Sequence, residues 1–560
     1  MQCFKQVLEW GCMSVFDMVK LHSKFSWKKY HRWFGLVLSV FMLVFCVSGI
    51  ILNHRQFFSW AEVNRSWLPS TYHIQNFNNG VIKGTLATAS PDSVLVYGSV
   101  GVWITDRNMS VWHDFNEGLS KSIDERNIRH VVRSKDGTLW CAALRDVYRY
   151  DKGSKGWKRV ELPGNEERIM DVALGKDSMK VVALTRSKVY EIFISDAHGL
   201  AGKSSRTKFH VSKSRVIPSP WNFEPKTTLF KIVWHLHSGE FFGLPGKLVV
   251  DAIALVLILL SFTGIVLFIL PYRMRKLKRL QLKEKMRLVG KHFASHMKWH
   301  DRIGYATILL TLWVAITGMC LRPPLMVPLV LGKVSQSVGE DGNVWQDKLR
   351  AIRWDEEHDG WLVSTSDGFL NVDEDFHTKS ILWPQEKSPK VSPMGVTVLE
   401  PDGKGGWIVG SFRGLYRWTP RQDVEPPLTM IFKSVILDYF TNQPSAETSM
   451  IPISDRLVCG YSTDFFDGKP LVFDFAKGME NAKGQVMSSK GASVLESTPM
   501  SLWSVALELH VGRCYAPFLG PLSDLFVFFS GLLITLVLLS GYIISKRRKQ
   551  KSKSRKTNKK

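Results

Sequence analysis

Four histidines stand at fixed spacings from glycines in two copies of one pattern. His31 precedes Gly35 by four residues and His300 precedes Gly304 by four. Each of these glycines is followed fourteen residues later by another, Gly49 after Ser48 and Gly318 after Thr317. A second pattern, Leu-His-x-Gly, also occurs twice, at Leu236–Gly239 and at Leu509–Gly512. Each copy precedes an apolar segment, one ending Thr263-Gly264 and the other Ser540-Gly541. Imidazole is a ligand for iron, copper and zinc, and two imidazoles on one haem iron give a six-coordinate centre suited to electron transfer. An isolated histidine at a helix end is more often a solvated or headgroup-contacting residue. Repetition at fixed spacing favours the ligand reading for His31, His237, His300 and His510.

Eight of the 16 histidines lie at or near the ends of apolar segments: His31, His54, His235, His237, His292, His296, His300 and His510. His54 lies 23 residues after His31, about 34 Å along a helix, and could replace either outer ligand. Its counterpart in the second copy is Pro323, so the symmetry fails there. His296 and His300 are four apart on one helical face, and either could be the inner ligand. His235 and His237 cannot both point the same way, and the repeat favours His237. The Ser/Thr-Gly pairs allow close helix approach or leave room for a flat macrocycle, and the sequence does not choose between these.

The elements that must position these groups form a tandem duplication, a signal that precedes other fold reasoning. Four apolar runs, about Phe34–Leu52, Lys247–Leu270, Ile303–Leu321 and Leu522–Ile544, reach the roughly 20 residues a bilayer crossing needs. The mean hydropathy of −0.04 conceals them. The net charge of +24 does not indicate nucleic acid. Lys and Arg number 6 in residues 1–33, 11 in 271–302 and 10 in 545–560, against four acidic residues, so all but one of the net charges flank the apolar runs. This is the positive-inside pattern, and the basic tail suits anionic lipid. It predicts a basic cytoplasmic N-terminus (1–33), first span (34–52), outer region (53–246), second span (247–270), basic cytoplasmic loop (271–302), third span (303–321), second outer region (322–521), fourth span (522–544) and basic cytoplasmic tail (545–560). The expected location is a bacterial inner membrane with periplasmic outer regions. Trp33, Trp234 and Trp299 are expected as interfacial anchors, and Arg322-Pro323-Pro324 as a helix stop.

Under this topology His31 and His300 lie on the cytoplasmic side, and His237 and His510 on the outer side. A tandem repeat of two-helix units has its pseudo-two-fold axis along the membrane normal. His31 and His300 then face each other across the axis, as do His237 and His510, and two haems would make a conduit across the membrane. The seven cysteines contain no Cys-x-x-Cys, so covalent haem attachment and zinc ribbons are unsupported. Cys141, Cys459 and Cys514 fall in the outer portions without a disulfide framework. No small-residue cleavage site follows the first apolar run, so a retained helix is expected. No Gly-x-Gly-x-x-Gly follows a strand, so no built-in nicotinamide or flavin site is evident.

The outer regions carry short strand-like runs with a shared local pattern. Asp136-Gly137-Thr138-Leu139-Trp140 is followed by Asp146–Tyr150, Asp359-Gly360-Trp361 by Asp367–Leu370, and Gly405-Gly406-Trp407 by Gly414–Trp418. Gly turn, aromatic strand, second turn and second strand resemble propeller blades, about three in each region. The alternative is an antiparallel sandwich with Trp-rich strands. The two regions could complete one split propeller. The fold class is thus a four-helix α-helical membrane protein in two tandem repeats with two large all-β, propeller-like extracytoplasmic regions.

The His-Arg-Trp-Phe-Gly start at 31–35 with its Ser-Gly finish, the Leu-His-Ser-Gly-Glu-Phe-Phe-Gly stretch at 236–243 and the repeat at 300–318 resemble the PepSY-associated transmembrane family, which includes bacterial inner-membrane ferrisiderophore reductases. The resemblance covers the helices and their flanks. It implies b-type haem held by membrane histidines, with His31, His237, His300 and His510 at the motif positions, and reduction of ferric chelates on the periplasmic side. The outer regions depart from it, since α+β domains would be expected there. Leu-His-Val-Gly-Arg-Cys at 509–514 departs from its His-x-Gly-Glu form.

The expected function is a di-haem b-type membrane oxidoreductase. It would take electrons from a cytoplasmic or quinol donor and pass them to a periplasmic acceptor, a ferric chelate first. The alternative is a non-enzymatic membrane-anchored sensor or scaffold whose propeller-like region binds a ligand or partner. A metal transporter using the same histidines is a third reading, with Asp251 and Asp524 near helix starts as its support.

Overall fold

The computed structural model describes residues 26–557 except 196–207, 222, 337, 339–340, 385–386, 391, 393, 413, 421–449, 482 and 488–492. The first 25 residues of the basic N-terminal lead-in lie outside the described residues. The chain divides into two compact units. One comprises residues 1–55, 227–334 and 506–560; the other comprises 56–226 and 335–505.

The helical unit contains α1 (Trp27–Asn53), α2 (Leu229–Ser238), α3 (Gly243–Arg279), α4 (Lys283–Ala306), α5 (Ile308–Cys320) and α7 (Ser523–Thr557), and receives the end of α6 (Leu502–His510). Helices α1, α3 and α7 are long and apolar enough to cross a membrane. The pair α4 and α5, bent by 68°, is a fourth candidate if taken as one span. Helix α1 packs on α3 and α7, and α7 also packs on α5.

Two features differ from the sequence reading. The basic stretch 271–302 is helical over most of its length, because α3 runs on to Arg279 and α4 starts at Lys283. Its Lys, Arg, Leu, Met and Glu residues are good helix formers. Met286, Val289, Phe293 and Met297 recur at helical spacing on a face more covered than the neighbouring Lys and Arg positions, and α4 packs on α3. The third apolar run is also broken at Thr307, whose hydroxyl donates to the Ile303 carbonyl at 2.9 Å; such back-bonding bends helices. The run ends at Cys320, just before Arg322-Pro323-Pro324.

The Leu-His-x-Gly pattern has a local meaning. Gly239 caps α2 with φ 77°, and Gly512, just past α6, has φ 85°. A left-handed cap favours glycine because a Cβ is penalised there. At Gly239 a Cβ would also stand 2.2 Å from the Gly246 carbonyl oxygen. Each histidine is thereby placed in the last turn of a short helix that must reverse sharply.

Among the described residues the second unit has six antiparallel sheets of three or four strands, three from each outer region, besides a two-stranded pairing of Glu62–Val63 with Met500–Ser501. Their first strands are Gly84–Ala87, His130–Arg133, Ile169–Leu174, Leu349–Asp355, Val396–Pro401 and Val458–Ser462. Five sheets have four strands and the sixth has three. The first strand of each sheet lies against the first strand of the next, and that of the sixth returns to the first. This propeller-like ring closes through both halves of the chain. Thr85 Oγ1 lies 2.7 Å from Ser462 Oγ, and Met479 N–H donates to the Asn76 carbonyl at 2.9 Å. Phe77, Ile82 and Val96 share one core with Phe465, Leu471 and Phe473. A register shift recurs near the start of four first strands, at Ile169/Asp171, Leu349/Ala351, Val396/Val398 and Val458/Gly460. The three Gly-turn patterns map onto the second and third strands of the second, fourth and fifth sheets, with Trp140, Trp361 and Trp407 buried. Cys141, Cys459 and Cys514 are free thiols.

A buried ionic network joins four of the first strands. Arg353 donates to Asp171 Oδ2 at 2.6 Å and to Glu400 Oε1 at 3.4 Å. His130 donates from Nδ1 to the Val172 carbonyl at 2.8 Å, and its Nε2 lies 3.7 Å from Glu400. Burial, and then the Arg353 charge, push the His130 imidazole below its ordinary value. A histidine that must be neutral when folded but can bind a proton when unfolded weakens the fold as pH falls below the unfolded value, about 6.5. Denaturant unfolding followed by tryptophan fluorescence should therefore lose stability between pH 7 and 5. One proton contributes a slope of at most about 1.4 kcal/mol per pH unit, and His130→Asn should flatten the profile by up to that amount.

Candidate histidine-pair centre

The helical unit brings the four repeat histidines together in two pairs. The ring centres of His31 and His300 are 6.3 Å apart, and those of His237 and His510 are 6.1 Å apart. The partners come from opposite copies of the repeat in both cases, as a two-fold axis requires. The pairs sit towards opposite ends of α1. His31 is near its start, and His510 lies against Gly49, 18 residues on, which is about 27 Å along a helix. The hydrocarbon core of a bilayer is about 30 Å thick.

Each ring is seated on one Ser/Thr-Gly pair. His31 Nδ1 lies 3.0 Å from Ser540 Oγ and 3.1 Å from the Val537 carbonyl oxygen. His237 Nδ1 lies 3.1 Å from Thr317 Oγ1 and 3.1 Å from the Val314 carbonyl oxygen. His510 Nδ1 lies 2.9 Å from Ser48 Oγ and 3.1 Å from the Phe45 carbonyl oxygen. His300 Nδ1 lies 2.9 Å from Thr263 Oγ1. The glycine that follows each hydroxyl residue receives the ring. A Cβ at Gly318 would be 2.7 Å from His237 Cε1, at Gly541 3.0 Å from His31 Cε1, at Gly49 3.4 Å from His510 Cε1 and at Gly264 3.7 Å from His300 Cε1. Ring clearance is therefore what Gly318 and Gly541 provide, while at Gly49 and Gly264 a Cβ would stand at ordinary contact distance. Gly35 and Gly304 face neighbouring helices without crowding: a Cβ there would make ordinary contacts with Val537 on α7 and Leu260 on α3.

The other candidates fall elsewhere. His54 Nε2 is 2.6 Å from Asp251 Oδ2, and Asn53 donates to the same carboxylate at 3.3 Å. This ties the end of α1 to α3 and leaves His54 outside the pairs. His296 lies one turn before His300 on α4, and it is His300 whose ring faces His31. His235 makes an edge contact with the ring of Trp234, 5.6 Å between centres. Asp524 lies 3.5 Å from Arg322, so both carboxylates of the transporter reading have basic partners. Trp33, Trp234 and Trp299 remain on the surface of the unit. The hydroxyls of Ser48, Thr263, Thr317 and Ser540 are the functional groups that sequence reasoning missed. Their fourfold recurrence directly before the glycines was the available signal.

The donor set fits a metal held between paired imidazoles. A metal–imidazole bond is about 2.0 Å and a ring nitrogen lies about 1.1 Å from the ring centre, so two rings on opposite sides of one ion sit about 6 Å apart. Among the described residues no group of three or more His, Cys, Asp or Glu could hold a metal. Two imidazoles on one ion are also the ligand set by which haem iron becomes six-coordinate.

The Gly–ring contacts predict an order of tolerance. Gly318→Ala should cost about 1–3 kcal/mol through overpacking on His237. Gly264→Ala, with ordinary contact distance, should be neutral or gain up to about 1 kcal/mol of helix propensity. Thermal unfolding in detergent measures both.

No curated protein matches the sequence. Among solved structures, the extracellular domain of a one component system from B. thetaiotaomicron is similar at 8% identity and a TM-score of 0.30. The match covers 73% of this chain and 39% of that one. The Cps50 (Swd1) β-propeller domain of Myceliophteria thermophila is similar at 11% identity and a TM-score of 0.32, covering 75% and 89%. At these values the likeness carries no argument about activity. The family pattern described as the PepSY-associated TM region matches residues 7–271 and a second time residues 268–548.

Proposed function

The chain belongs to the PepSY-associated TM family, and from that membership and its paired histidines we propose that it is a di-haem b-type membrane oxidoreductase. The observation that carries the reading is the presence of two symmetry-related histidine pairs, 6.3 and 6.1 Å between ring centres, near opposite ends of one membrane-length helix. His31 and His300 would hold the haem at one end, and His237 and His510 would hold the other. Bound haem supplies the one-electron chemistry, and the protein supplies ligands, orientation and insulation. The four Ser/Thr-Gly seats keep each imidazole aimed across the two-fold axis. The apolar faces of α1, α3, α5 and α7 keep water from the space between the pairs.

In this reading the basic ends of the helical unit are cytoplasmic and the β unit is periplasmic, following the positive-inside bias. The donor, cytoplasmic or a quinol, would lie on the His31/His300 side and the acceptor on the His237/His510 side. The acceptor is a ferric chelate, reduced by one electron to its ferrous form. The family resemblance supports that choice.

A reduced-minus-oxidised optical spectrum with pyridine-haemochrome quantification tests the reading. Two b-type haems per chain are expected in the purified protein. His31→Ala or His300→Ala should remove one, and His237→Ala or His510→Ala the other. His54→Ala and His296→Ala should retain both. Haem-free protein from cells supplied with ample haem would sink the reading and favour a membrane-anchored β unit that binds a ligand or partner.

A further inference from the structure

We propose that Ser48, Thr263, Thr317 and Ser540 are positioning residues that hold each paired histidine as the Nδ1–H tautomer and thereby set the electron affinity of the two centres. The tautomer follows from where the hydroxyl protons go. Ser48 Oγ donates to the Val44 carbonyl at 2.6 Å, Thr263 Oγ1 to Leu259 at 2.8 Å, Thr317 Oγ1 to Trp313 at 2.7 Å and Ser540 Oγ to Val537 at 2.7 Å. A hydroxyl has one proton. Once that proton is given to its own helix, the oxygen can only accept. The histidine nitrogen facing it must then carry the hydrogen, and a neutral ring keeps its free lone pair on Nε2. At three seats a main-chain carbonyl, which also can only accept, enforces the same choice: Val537 for His31, Val314 for His237 and Phe45 for His510.

The fourth seat is different. Among the described residues, the Thr263 hydroxyl is the one hydrogen-bond partner of His300 Nδ1. The four-fold pattern is therefore weakest at one ring, and the two pairs are not equivalent. His237 and His510 each donate to two acceptors, whereas the His31/His300 pair has one ring with two and one with one. A second acceptor on Nδ1–H makes an imidazole a more basic ligand. A more basic ligand favours the oxidised, more positive metal. The His237/His510 centre should then be the more reducing of the two.

The redox part rests on the haem reading, while the tautomer part does not, and the experiments separate them. Nitrogen-15 histidine NMR of the full-length protein without haem reads the tautomer directly. The four rings should be Nδ1–H in the parent protein. Thr263→Val should abolish that signature at His300, whereas Ser540→Ala should keep it at His31 through the Val537 carbonyl. In haem-loaded protein, Thr263→Val should weaken haem retention about tenfold and shift the reduced-to-oxidised ratio at fixed potential several-fold towards reduced. Thr263→Ser should restore both values, and Ser540→Ala should move them less. An Nε2–H signature in the parent, or equal effects of Thr263→Val and Ser540→Ala, would overturn the assignment. Haem-free parent protein would strike the function reading alone, because the NMR signature still decides the role of the hydroxyls.

Discussion

An imidazole inside a bundle of apolar helices needs an acceptor for its N–H and an empty volume for its ring. The helical unit meets both needs with one dipeptide used four times. The hydroxyl of Ser or Thr, already bonded back to its own helix, can offer the histidine only an oxygen lone pair. The glycine beside it leaves out the Cβ that would strike Cε1, at 2.7 Å in the tightest case. Much of the architecture follows from that seat. Each histidine sits on a helix other than the one that seats it, so each seat also joins two helices: α1 to α7, α4 to α3, α2 to α5 and α6 to α1. The bundle is tied together by the same contacts that aim its paired histidines.

The seats impose conditions on the short elements around them. Helices α2 and α6 must stop just after their histidines, and glycines in the left-handed region at 239 and 512 make that possible. The break at Thr307 separates α4, which carries His300, from α5, which carries the Thr317 seat. A straight helix over both would tie the direction of the His300 turn to that of the seat. The polar ties at the other ends are of a plainer kind. His54 with Asp251 and Arg322 with Asp524 each connect one copy's first helix to its second.

Much of this was legible in the sequence because the duplication exposed it. Spacing alone placed His31 opposite His300 and His237 opposite His510, and it placed the first apolar run inside α1. The Gly-turn patterns foretold about three blades in each outer region, and three sheets are found in each. What stayed hidden has physical causes. A basic flank marks a side of the membrane but not where a helix ends, so the run of α3 on to Arg279 and the start of α4 at Lys283 went unseen. A hydroxyl that bonds back to its own helix leaves no trace in hydropathy, so the seats at Ser48, Thr263, Thr317 and Ser540 looked like packing alone. His54 was ambiguous because its partner, Asp251, is distant in sequence and because its own counterpart in the second copy is Pro323.

The ring of six sheets takes three sheets from each outer region, and each histidine pair takes one ring from each copy. Neither copy is a smaller version of the whole. A chain of half this length, with one copy of the pattern, would present half of a ring and two unpaired histidines. It could become complete only by associating with a second identical chain about a two-fold axis. Joining the copies in one polypeptide turns that encounter between molecules into an internal step, independent of concentration. It also frees the two halves to diverge, and the lone acceptor at His300 is one place where they have.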